Sequence, residues 1–145
     1  MGESNNSEDG MSTRSNIAVE HCNGSVSNIY IHNSGYLSGV GLTLHTYWTT
    51  TRDVARLVAL GDCSQLGDNL KDTIAYHRDR GGEPCPARED PTLQEYLNHG
   101  DEWRHSWGYE YRYVLTRKQG WLVQDGPDPW RPLYLALIEE KLTNE

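Results

Sequence analysis

The sequence predicts an α+β fold: a largely antiparallel sheet of about five strands, with two or three helices packed on one face. Three observations carry that prediction. Residues 13–32 and 109–125 each alternate apolar and polar side chains on either side of a tight turn. Between and after these hairpins, apolar residues recur at helical spacing. The chain has no internal repeat and none of the strand–helix–strand rhythm that builds a parallel sheet.

The first eleven residues hold nothing hydrophobic between Met1 and Met11, and are expected to form a disordered tail. Residues 12–145 are expected to form one domain, long enough to bury a core without disulfides or metal. Within it, Ile17, Ala18 and Val19 mark the first strand, and Asn23-Gly24 supplies a two-residue turn. The second strand, residues 26–32, puts Val26, Asn28, Tyr30 and His32 on one face and Ser27, Ile29 and Ile31 on the other.

Gly35, Gly39 and Gly41 then punctuate a turn, and Val40, Leu44 and Tyr47 predict a helix from near Ser38. Thr50 or Thr51 is placed to cap a second helix over 52–60, with Val54, Leu57 and Val58 inward and Gly61 as its stop. Residues 61–72 read as a loop and 73–78 as a short strand, followed by a Gly- and Pro-rich loop over 80–91. Asp90-Pro91 is expected to open a short helix through Leu93 and Leu97. In the second hairpin, Tyr109, Tyr111, Tyr113 and Leu115 share one face, and Lys118-Gln119-Gly120 turns the chain into 121–125. Leu133, Leu137 and Ile138 mark a closing helix over 133–142, with a strand starting at Tyr134 and Leu135 as the alternative.

Composition narrows the function. Net charge is −8, which disfavours direct nucleic-acid binding, since such binders present a basic face. The acids are spread along the chain, short of the dense array that would imitate DNA phosphates. Three cysteines without a Cys-x-x-Cys pair fit reduced thiols in a cytoplasm; convergence of His21, Cys22, His77 and Cys85 on a metal is the minor alternative. No apolar run approaches a membrane span, and no cofactor motif is present.

Three groups of residues are candidates for function. The segment from Tyr30 to Gly41, with His32 and Tyr36, has glycines that allow close backbone approach and amides that suit an anion; its plainer reading is a tight turn. The run Tyr76, His77, Arg78, Asp79 and Arg80 would, if extended, aim Arg78 and Arg80 the same way as a clamp for phosphate or carboxylate. His77 and Asp79 would then share the opposite face as an oriented base. The aromatic series Trp103, Trp107, Tyr109 and Tyr111, with Trp121 and Trp130, suits a core edge, a stacking platform or a protein interface.

Several runs also match a known pattern. Residues 13–20 (Thr-Arg-Ser-Asn-Ile-Ala-Val-Glu), 29–36 (Ile-Tyr-Ile-His-Asn-Ser-Gly-Tyr), 39–44 (Gly-Val-Gly-Leu-Thr-Leu), 59–62 (Ala-Leu-Gly-Asp) and 73–81 (Thr-Ile-Ala-Tyr-His-Arg-Asp-Arg-Gly) resemble a family of small uncharacterised proteins of phages and prophages. The resemblance spans residues 12–82 and brings Arg14 into the candidate ligand set. Family members usually read His-Trp-Asp-Gly-Tyr-Pro where this chain has His32, Asn33, Ser34, Gly35, Tyr36 and Leu37. The resemblance implies a viral accessory protein acting in the host bacterial cytoplasm, without an implied activity.

Together these point to a non-enzymatic accessory protein that binds and neutralises a host component. The component would be a defence protein such as a CRISPR effector, or a nucleotide-like signal, held without a cofactor. One alternative is a small phosphate- or nucleotide-processing enzyme, with His77 or His32 as base, Asp79 orienting it and Arg78 and Arg80 clamping. Another is a virion or assembly component with an adhesive aromatic face. A homo-oligomer is compatible with all three.

Overall fold

The computed structural model describes residues 12–100, 103, 106 and 108–143. The expected tail, residues 1–11, lies outside the described residues, as do His105 and Trp107. Eight strands form one sheet among the described residues: β1 (Ser15–Glu20), β2 (Val26–Ile31), β3 (Cys63–Gln65), β4 (Ile74–Ala75), β5 (Arg88–Asp90), β6 (Tyr111–Thr116), β7 (Gly120–Asp125) and β8 (Arg131–Pro132). Their order is β4-β3-β2-β1-β6-β7-β8, with β5 paired to β2 off that path.

Both hairpins form as expected. β1 and β2 pair antiparallel with Ile17 opposite Ile29, and Gly24 turns them at φ 94°. β6 and β7 pair with Tyr113 opposite Val123. The hairpins then join side by side through a parallel pairing of β1 with β6, Ile17 beside Tyr113. This places β1 in the middle of the sheet and explains why Ile17, Ala18 and Val19 are all buried: a central strand covered on both faces reads as a continuous apolar run.

The strand count exceeds the expected five by β3, β5 and β8, each of two or three residues and too short to show a period. β3 forms inside the expected loop 61–72, where the Cys63 and Ser64 carbonyls accept from the His32 and Asn33 amides at 3.1 and 3.0 Å. β5 forms inside the expected loop 80–91, with Arg88 opposite Asn28. The expected strand 73–78 keeps only Ile74–Ala75. The Asp79 carboxylate accepts from the Ala75 amide at 2.7 Å and caps a helical turn that follows.

The helices are α1 (Leu42–Tyr47), entered through a π-helical turn (Leu37–Gly41), then α2 (Thr51–Val58), α3 (Tyr76–Arg80), α4 (Leu93–Leu97) and α5 (Leu133–Glu139). Thr50 caps α2, its Oγ1 accepting from the Asp53 amide at 3.1 Å. The cap of α4 is Thr92, accepting from Glu95 at 3.1 Å; Asp90, expected to do this, belongs to β5 instead.

Helices do not all pack on one face. Leu44 of α1, Val54 and Leu57 of α2, and Leu133 and Leu137 of α5 cover the face bearing Ile17, Ile29, Ile31, Tyr113 and Val123. Helix α4 covers the other face, where Tyr96 packs on Ala18, Val26, Val114 and Leu122. No helix among the described residues is long and apolar enough to cross a membrane.

Candidate functional site

Asp62 organises the site. Its Oδ1 accepts from the Tyr30 amide at 2.9 Å and from the Arg88 guanidinium at 2.8 Å. Its backbone carbonyl accepts from the Tyr76 amide at 3.2 Å. Two tyrosines from distant parts of the chain, one on β2 and one opening α3, are therefore pinned on either side of a single residue.

The Tyr30 hydroxyl lies 2.6 Å from Nδ1 of His32, two residues along β2 and on the same face. The hydroxyl and the imidazole share one proton donor between them in this bond, and it holds the ring against Tyr30. The β1–β2 register pairs Ser15 with Ile31, which carries Arg14 opposite His32 at the open end of the hairpin. Tyr76 and Arg80 lie four residues apart on α3, on the same side of the turn. Arg14 and Arg80 are exposed, while Tyr30, His32 and Tyr76 are half-buried.

Burial pushes both tyrosine hydroxyls above their ordinary range, and nearby arginines work against that rise: Arg14 at Tyr30, Arg80 and then Arg14 at Tyr76. Both hydroxyls therefore stay neutral at physiological pH.

A buried polar network backs this face. Asn16 Nδ2 donates to Asn28 Oδ1 at 2.9 Å, to the Ile29 carbonyl at 3.1 Å and to the Tyr109 hydroxyl at 3.1 Å, while the Tyr96 hydroxyl donates to Asn16 Oδ1. The Tyr109 ring in turn lies 6.1 Å from Tyr30. A shell this fully bonded holds the outer side chains in place.

Of the residues expected to bind a ligand, His32 bonds to Tyr30 and the Tyr76 amide bonds to Asp62, while Arg14 lies opposite His32 at the end of the hairpin and Arg80 lies one turn along α3 from Tyr76. Arg78 and Asp79 are tied to each other at 2.9 Å, and Arg78 also donates to the carbonyls of Leu70 (2.9 Å) and Thr73 (2.7 Å). Because the segment is helical, Arg78 and Arg80 do not form the expected parallel clamp, and His77 does not face Asp79. His77 Nδ1 bonds to the Gly82 carbonyl at 2.8 Å. Tyr36 is exposed at the head of the π-helical turn and makes no contact with the group. The glycines there serve packing: a Cβ at Gly35 would lie 2.8 Å from Thr13 O, and one at Gly39 2.3 Å from Ser34 O. The amides of Gly39, Val40 and Gly41 donate within the turn, so they are not presented to an anion.

The aromatic series does not form one platform, because it divides between the two faces of the sheet. Trp121 is in the main core, its Nε1 donating to the Trp48 carbonyl at 2.9 Å, with Tyr111 at the edge of that core. Trp103 and Trp130 lie on the opposite face with Tyr109, which bends out of the β6 alternation to meet Asn16. There the rings of Tyr96, Trp130 and Trp103 surround the buried guanidinium of Arg112 at 4.5, 4.9 and 5.2 Å. Arg112 donates to the carbonyls of Tyr96 (2.5 Å) and His99 (2.7 Å), satisfying the C-terminal end of α4.

The sequence reading passed over Asp62, Arg88 and Arg112. Arg112 had a signal, a charge at an inward position of an alternating strand; Asp62 and Arg88 had none beyond the Gly61-Asp62 run in the motif. Among the described residues no three potential metal ligands gather, so His21, Cys22, His77 and Cys85 do not meet. Two grooves elsewhere, of about 380 Å³ beside Arg117 and Lys118 and about 260 Å³ beside Asp53 and Asp68, include none of these site residues. Comparison with known families, curated proteins and solved structures returned no match.

Proposed function

We propose that this chain is a non-enzymatic accessory protein of the phage type that binds and neutralises a host component on the Arg14–Tyr30–His32–Tyr76–Arg80 face. The observation that supports this reading is that Asp62 binds the backbone amides of both Tyr30 and Tyr76, with His32 bonded to Tyr30 and with Arg14 and Arg80 exposed and making no ion pair or side-chain hydrogen bond among the described residues. Unpaired arginines beside rigid half-buried tyrosines are what a binding surface needs: charge for attraction and rings that lose little freedom on contact. The motif resemblance to phage proteins supplies the setting, a bacterial host.

The test is native mass spectrometry of the protein purified gently from a bacterial host, beside an Arg14→Ala/Tyr76→Ala/Arg80→Ala variant. A bound mass above an integer multiple of the chain, lost in the variant, is the expected result. Clean multiples of the chain mass for both proteins would overturn the reading.

A further inference from the structure

We propose that Cys63 and Cys85 are a redox pair: a hydroperoxide joins them in a reversible disulfide that ties the loop after α3 to β3. This stands independently of the binding reading above.

The two sulfurs meet at Gly61. The Cys63 thiol donates to the Gly61 carbonyl at 3.3 Å, and the Cys85 Sγ lies 3.7 Å from the point where a Cβ on Gly61 would stand. Glycine puts no side chain between them. The backbones join at the same place: the Asp62 amide, one residue before Cys63, donates to the Cys85 carbonyl at 3.2 Å. Such a bond sets two segments about 5 Å apart, the range a disulfide bridges between Cα atoms. Cys22 takes no part, because it lies at the β1–β2 turn, past the end of β2 opposite to the one that pairs with Cys63. Exposure divides the roles: Cys85 is half-buried and Cys63 is buried, so peroxide reaches Cys85 first. The Cys85 thiolate attacks one peroxide oxygen, the O–O bond breaks and hydroxide leaves, giving a sulfenic acid. The Cys63 thiolate then attacks the Cys85 sulfur; the S–S bond forms, the S–O bond breaks and a second hydroxide leaves. The two hydroxides take up the two thiol protons. The thiols thus lose two electrons and two protons, and hydrogen peroxide becomes two waters. Burial pushes the Cys63 thiol up to about 12, so the second step is the slow one and quickens about tenfold per pH unit below that value.

The test treats the full chain, carrying Cys22→Ser to remove the exposed thiol, with dilute hydrogen peroxide at pH 8. Remaining thiols are blocked with N-ethylmaleimide, and the unreduced chain is cut with trypsin and weighed. The expected product is the peptide 57–71 joined to the peptide 81–88, two hydrogens lighter than their sum and separated again by dithiothreitol. The link is expected to form at least about tenfold faster in the native chain than in urea, because only the fold holds the sulfurs together. The oxidised chain is expected to melt about 5 °C or more above the reduced one, since the link closes a ring over residues 63–85. In Cys85→Ser, a half-buried change that leaves the core intact, Cys63 is expected to stay reduced. Cys85 oxidised to a sulfinic acid while Cys63 stays free would overturn the proposal. So would a link that forms as fast in urea, or one that lowers the melting temperature.

Discussion

The Asp62 carboxylate lies 2.8 Å from the Arg88 guanidinium, and both side chains are largely shielded from solvent. The pair ties β5 to the segment entering β3 and fixes Tyr30 through its amide. Asp62→Ala removes the counter-charge from Arg88 and the acceptor of the Tyr30 amide. The expected loss is about 1–3 kcal/mol, below the cost of breaking a fully buried pair because water reaches Arg88. Urea denaturation at neutral pH measures it.

Arg112 should be the costliest single position. It is 2% exposed, sits among three rings and holds the carbonyl end of α4. Arg112→Ala is expected to cost about 3–5 kcal/mol and to shift tryptophan emission as Trp103 and Trp130 lose their packing. Arg112→Lys should restore less than half, because a compact ammonium does not span Tyr96, His99 and Gln124 at once.

Alkaline pH should unfold the protein. Burial pushes the Cys63 thiol up to about 12, and raises Tyr109, Tyr96 and Tyr113 above their ordinary range. The folded chain holds these protons more tightly than the unfolded one. The stabilisation is therefore full below the unfolded values of 9.0 for the thiol and 10.0 for the phenols, and is lost as pH climbs past them. Tyrosinate absorbance from Tyr96 and Tyr113 should appear together with loss of the circular dichroism signal. At pH 8, a thiol reagent should modify exposed Cys22 at once and buried Cys63 only on unfolding.

Gly61 and Gly24 both adopt positive φ, yet alanine should separate them. At Gly61, φ is 81° and a Cβ would lie 2.3 Å from the Cys85 carbonyl oxygen, so the backbone must shift. At Gly24 the space is open. Gly61→Ala is expected to cost at least about 3 kcal/mol and Gly24→Ala about 1–2 kcal/mol, the conformational term alone. Thermal melts compare the two.

Arg14→Ala and Arg80→Ala should leave stability within about 0.5 kcal/mol of the parent, since both residues are exposed. A larger loss in urea denaturation would show that these arginines serve the fold.

Legibility followed range and period. The hairpins at Asn23-Gly24 and Gly120, the Thr50 cap and the closing helix were readable because each is specified by neighbours in the chain. Strands of two or three residues carry no period, so β3, β4 and β5 were invisible or blurred. The segment from Tyr76 to Arg80 was misread for a related reason. An extended reading pairs Arg78 with Arg80, whereas the helical turn capped by Asp79 pairs Tyr76 with Arg80 and turns Arg78 inward onto the Leu70 and Thr73 carbonyls.

The sequence by itself determined two hairpins, the apolar stripes of the helices and an acidic balance, because alternation, turn residues and charge act over a few neighbours. Only the tertiary structure decided that the hairpins join in parallel through β1 and β6, that the aromatic series divides between two faces, and that the amides of Tyr30 and Tyr76 meet at Asp62. The physical reason is the same for each: these contacts link residues dozens of positions apart, and their geometry exists only once the sheet has set the register.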